Sequence, residues 1–190
     1  MAAVSNISEN NTFEKIDFSK EKPLSKEYEA CTFKDCVFSD LAYITFIDCV
    51  FEQCNFSLCN LNNTSFKNAS FKHSKMVGIN FTHCNPFLFA VSFENCFLSL
   101  ASFYKLKLKS TTFKFCDLQE VDFTACDLTT ASFDNCNLGL SIFKNTTLEK
   151  ADFRSSYNFS IDPENNRIKG AKFSRLALEG LLDKYSLVIE

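Results

Sequence analysis

The chain has 190 residues, 46% of them hydrophobic and 23% charged, with a net charge of −3. That balance excludes a wholly disordered chain and argues against a general nucleic-acid binder of the basic kind. Twenty-three Phe and ten Cys, with no Trp and only four Gly, need a common explanation.

Residues 1–27 are polar and charged and read as a lead-in that caps the rest of the chain. The first thirteen carry neither the basic nor the apolar region of a secretory signal, and no run in the chain approaches the ~18–20 apolar residues of a membrane span. A cytoplasmic chain with no membrane contact is expected, its thiols reduced.

From residue 28 a ring or aliphatic side chain recurs at every fifth position. Tyr28, Phe33, Phe38 and Tyr43 form a first series, with Phe13 and Phe18 in the same frame ahead of it. A phase shift near 44–45 leads to Phe46, Phe51, Phe56, Leu61, Phe66, Phe71, Met76 and Phe81. A second shift at 85–91 leads to a third series, Phe93 to Phe153, in which Phe and Leu alternate. The position two before a centre is almost always small or β-branched, and all ten cysteines occupy it.

A period of five fits no continuous element. On an α-helix the centres would spread around the cylinder, and on one strand they would fall on opposite faces. A chain that turns a corner once per repeat points every centre inward. Four corners close a coil of about twenty residues, and coils stack at the inter-strand spacing of about 4.8 Å. Each buried Phe or Leu then contributes about 1.5–3 kcal/mol. Regular corners are expected to need few special dihedrals, in keeping with the low Gly count.

The sequence resembles the pentapeptide repeat proteins, whose motif is a small residue, Asp or Asn, then Leu or Phe and two variable positions. Cys116-Asp117-Leu118, Cys126-Asp127-Leu128, Cys136-Asn137-Leu138 and Ala151-Asp152-Phe153 carry the match, which covers about 28–158. The resemblance implies an all-β solenoid, a right-handed quadrilateral β-helix.

Between the second and third series, Phe87, Leu88 and Phe89 follow Pro86 and cannot all point inward. They form either a bulge repacked over the coil edge or a protruding apolar contact for a partner. Beyond 158 the pattern changes. Residues 159–190 are expected to form an α-helical cap over about 174–185 with Ser174 as N-cap, and a short strand at 187–189. Leu178, Leu181, Leu182, Tyr185, Leu187 and Ile189 either cover the open end or, as the resemblance implies, join two copies into a homodimer.

Nothing in the pattern is catalytic. His73 and His83 both fall two residues after a centre and face outward on opposite sides. Stacked Cys96, Cys116 and Cys136 are too far apart for a shared zinc, so no metal or other cofactor is expected. A disulfide between coils is conceivable, but buried free thiols are the preferred reading. Two segments carry acids and no base: Asp35, Asp40, Asp48 and Glu52, then Asp117, Glu120, Asp122, Asp127 and Asp134. They are either repeat residues with structural duties or a negative surface that mimics DNA. The resemblance extends to the quinolone-resistance and microcin-immunity branch, which implies a non-enzymatic protein binding DNA gyrase or topoisomerase IV, without direct nucleic-acid binding. A scaffold for another protein is the alternative.

Overall fold

The computed structural model describes residues 7–20 and 25–187. Eleven short strands occur among the described residues: β1 (Ile7–Glu9), β2 (Thr12–Glu14), β3 (Glu27–Glu29), β4 (Thr32–Lys34), β5 (Thr45–Ile47), β6 (Val50–Glu52), β7 (Ser65–Lys67), β8 (Ala69–Lys72), β9 (Val91–Glu94), β10 (Thr112–Lys114) and β11 (Ser132–Asp134). All pair in parallel, each with its counterpart one coil away. One face is the sheet β1-β3-β5-β7, and the next is the seven-stranded sheet β11-β10-β9-β8-β6-β4-β2. The other two faces are held by single bridges, such as Phe97 to Asp117 and Ser102 to Asp122. The result is a four-sided parallel β-solenoid.

The core is four columns of centres. On the second face Phe33, Phe51 and Phe71 stack at 5.0 and 4.9 Å, with ring planes within 12°. Phe93, Phe113 and Phe133 continue the column at 5.2 and 4.9 Å. Columns also meet edge to face, between neighbouring faces as Phe33 meets Phe38 at 5.7 Å and 72°, and across the core as Phe113 meets Phe123 at 5.9 Å and 81°. Aromatic pairs favour both offset stacking and edge-to-face packing, so one ring type satisfies both directions.

Two kinds of corner join the faces. Where Asp or Asn precedes the centre, its side chain accepts from the backbone N–H two residues on. Asp122 Oδ1 accepts from Thr124 at 2.8 Å, and Asp117 Oδ1 from Gln119 at 3.3 Å. The chain then closes a β-turn, as when Cys126 N–H donates to the Phe123 carbonyl at 3.1 Å. Each strand from β4 to β11 instead has Thr, Ser, Val or Ala before its centre or at its start. A short Asp or Asn side chain competes with the ladder for backbone donors, so it marks turns rather than strands.

Five expectations are corrected. Corners do need special dihedrals. Twenty-six non-glycine residues among those described have positive φ, and all but Leu88, Asn158 and Ser186 lie two after a centre position. A β-turn with positive φ at its third residue costs a non-glycine residue about 1–2 kcal/mol. Low glycine content therefore reflects tolerated strain.

The lead-in is part of the rod: β1 and β2 pair with β3 and β4, and Phe18 is buried. The first phase shift also moves. Tyr43 is 65% exposed, whereas Leu41 is fully buried and is the true centre. Tyr28 pairs with Phe46, eighteen residues on, so this coil lost two residues between Phe38 and Leu41. The second shift stands where expected, because Ala69 pairs with Val91, twenty-two residues on.

Finally, the coils run past 158. Asp152 bridges to Lys172, and Phe173 stacks on Phe153 at 5.3 Å and 4°. The cap is not α-helical. Two 3-10 segments follow, Arg175–Leu181, which is kinked at Ala177, and Asp183–Tyr185, while Ser174 Oγ does accept from Leu176 N–H as the N-cap. Gly180 explains the tight turn: a Cβ there would lie 2.2 Å from the Phe159 carbonyl oxygen.

Candidate functional site

The small position is also a hydrogen-bonding position. Its hydroxyl or thiol donates to the carbonyl of the centre one coil back. Cys54 Sγ reaches the Phe33 carbonyl at 3.4 Å, Thr64 Oγ1 that of Leu41 at 2.8 Å, and Thr146 Oγ1 that of Phe123 at 2.9 Å. All ten cysteines are buried and unpaired. Burial pushes the Cys49, Cys54, Cys59 and Cys126 thiols up to about 12, so they stay protonated and unreactive at neutral pH. No group of three metal-ligating side chains occurs among the described residues. No helix among them is long and apolar enough to cross a membrane.

The candidate acids do not share a face. Asp117, Glu120 and Asp122 come together along the corner between the third and fourth faces, with no base between them. Asp40 stands on the fourth face, one rung below Asn60, whose Nδ2 donates to it at 2.9 Å. Asp35 and Asp48 occupy positive-φ corners on other edges, and Asn68 Nδ2 donates to Asp48 at 2.6 Å. Asp127 lies on the first face with Lys109 at 3.3 Å. Burial pushes its carboxyl up, but the Thr129 donors and Lys109 outweigh this and hold it low.

Glu52 and Asp134 lie on the second face, in a row that spacing by five could not reveal. One residue after each centre there stand Glu14, Lys34, Glu52, Lys72, Glu94, Lys114, Asp134 and Arg154, alternating in sign at every rung. Lys34 meets Glu52 at 3.7 Å and Lys114 meets Glu94 at 3.1 Å. Arg154 turns to Asp152 at 2.7 Å. The signal was present at coil spacing, but the eighteen- and twenty-two-residue coils hide it until the register is known.

The third face is apolar around the acidic corner. Phe97, Leu100, Phe115, Leu140 and Tyr157 are each about half exposed or more. At the second phase shift the triplet divides. Phe89 turns in against the core, its ring 6.2 Å from Phe81, while Phe87 and Leu88 stand 67% and 63% exposed. At the C-terminal end, Leu181 packs on the core and serves as cap. Leu178, Leu182, Tyr185 and Leu187 are exposed, as is Leu176, which the sequence pattern does not single out. Ile189 lies outside the described residues. Tyr185 Oη donates to Glu164, and Lys184 bridges Asp162 at 2.7 Å, which ties this segment to the last coil.

Two family profiles match the chain: "Pentapeptide repeat region" over residues 87–173 and "Pentapeptide repeats (8 copies)" over 44–82. No curated protein sequence matches it. Among solved structures, a trypsin-treated form of QnrB1, a plasmid-mediated fluoroquinolone resistance protein, superposes with a TM-score of 0.75 at 16% identity. The match covers 98% of this chain and 92% of that one. A second trypsin-treated form gives 0.50 at 18% identity, covering 97% and 100%. Repeat, register and superposition agree along both halves of the rod: the chain belongs to the pentapeptide repeat family.

Proposed function

We propose that the chain is a non-enzymatic binding rod that engages a type II topoisomerase, DNA gyrase or topoisomerase IV, and protects it from poisons such as fluoroquinolones. The observation behind this reading is the base-free corner of Asp117, Glu120 and Asp122 on a rod of regular rungs. Carboxylates at fixed spacing present a field that a positively charged DNA-binding saddle attracts. The family resemblance supplies the class of partner, and QnrB1, a plasmid-mediated fluoroquinolone resistance protein, shares the fold. Exposed Leu176, Leu178, Leu182 and Leu187 offer an apolar end for joining two rods.

The scattering of the other acids narrows the DNA-like region to one corner rather than a whole side. A second reading, a scaffold for a different protein, is favoured by the apolar third face, where Phe97, Phe115 and Tyr157 are the kind of aromatic anchors that dominate protein interfaces.

An assay of fluoroquinolone-induced DNA cleavage by gyrase separates the two. The proposal expects the purified chain to reduce cleavage in a dose-dependent way. Unchanged drug-induced cleavage by both topoisomerases and unchanged supercoiling by gyrase would leave only the scaffold.

A further inference from the structure

We propose that the second face is a docking surface for a second copy of this chain, laid antiparallel and face to face. The argument is one of symmetry. A two-fold axis along the strand direction, placed between the Lys72 and Glu94 rungs, reverses the order of rungs while keeping each row opposite itself. Because the charged row has even length and alternates throughout, that reversal sets every acid against a base. Lys72 faces the partner's Glu94, Glu52 its Lys114, Lys34 its Asp134 and Glu14 its Arg154. The two-fold makes each pair occur twice, as an isologous interface requires. Beside the charges runs a row of Thr12, Thr32, Val50, Ser70, Ser92 and Thr112, short enough to let two flat sheets approach.

Two further observations point to the same axis. Lys72, beside the two-fold, makes no ion pair or side-chain hydrogen bond among the described residues, because Glu52 and Glu94 pair with Lys34 and Lys114 instead. Exposed Phe87 and Leu88 enter the face immediately before β9, at the level of the axis, so the bulges of two copies come together there on one edge. An apolar contact near the centre with charges along its length is the usual anatomy of a specific interface. A face one strand wide is narrow, which puts the contact among weak interfaces of under about 1,200 Å².

The test is mass by sedimentation at about 10 mM and about 1 M salt, where screening lengths are about 30 and 3 Å. An apolar end-to-end contact survives salt, so the expected signal is a self-association present at low salt and lost at high salt. Lys72→Glu alone and Glu94→Lys alone should each abolish it. An equimolar mixture of the two variants should restore it, as should the double variant. The double variant leaves as many like-charged neighbours within each chain as Lys72→Glu does, so a purely structural role for the row predicts no restoration. Equal mass at both salts, a salt-labile association that survives Lys72→Glu, or a mixture that stays dissociated would each overturn the proposal.

Discussion

Between Tyr28 and Phe71 three of the four core columns are aromatic and two faces carry paired strands. Between Phe93 and Phe153 only two columns are aromatic, the others are Leu, and strands persist on the second face alone. Yet rung spacing hardly differs: Phe46 lies 5.5 Å from Phe66, and Phe103 5.4 Å from Phe123. The core residue therefore sets the filling of a coil, and the residue before it sets the corner. On the first face Thr45 and Ser65 lie in strands, while Asp127, in the same column, accepts from Thr129 N–H at 3.2 Å and opens a turn.

The strongest way to break this comparison is to empty equivalent sites. Phe51→Ala and Phe113→Ala, on one column in opposite halves, should each cost about 3–5 kcal/mol in urea unfolding. If one proved nearly neutral, the halves would not share a core. Leu108→Phe would give the second half a ring where the first has Phe46. It should cost about 1–3 kcal/mol from overpacking, because rings already fill the columns on either side. A gain in melting temperature would show that the halves are interchangeable.

The thiols sharpen the contrast through pH. Cys49, Cys54 and Cys59 in the first half and Cys126 in the second are pushed by burial from 9.0 to about 12. The folded state holds these protons where the unfolded chain has lost them. Stability should be full below pH 9 and fall as pH rises toward about 12. Unfolding midpoints measured across that window should drop, and less so for Cys49→Ala than for the parent. A flat profile would remove the thiols from the account. The smallest effect is expected at the corner: Asp122→Ala should cost about 1 kcal/mol, and Asp122→Asn, which keeps the accepting oxygen, close to nothing.

Much of the inner surface was legible in the sequence because every coil repeats the same demand. The centres, the small position of all ten cysteines and the insertion at 85–91 emerge from counting by five. What escaped were places where one rung departs from the count. Tyr43 fits the period, but deletion before Leu41 turns it outward. Ile168 and Phe173 resume the period after Asn158 and Pro163 interrupt it, so the solenoid looked shorter than it is. Positive φ at the corners leaves no mark in composition, since Asn, Asp, Lys and even Leu140 accept it. On the outside, the acids were visible one by one, but which of them are neighbours depends on coil lengths of eighteen, twenty and twenty-two residues that only register supplies.

That outside surface carries the functional claim. Its most direct test is binding of the purified chain to immobilised gyrase and topoisomerase IV, beside the variant Asp117→Asn/Glu120→Gln/Asp122→Asn. The variant keeps the accepting oxygens of both turn residues, so its circular dichroism and melting should match the parent. The account predicts that the parent binds and that the variant binds at least about ten-fold more weakly, a loss of about 1.4 kcal/mol. Equal binding by both proteins, or none by the folded parent, would contradict it.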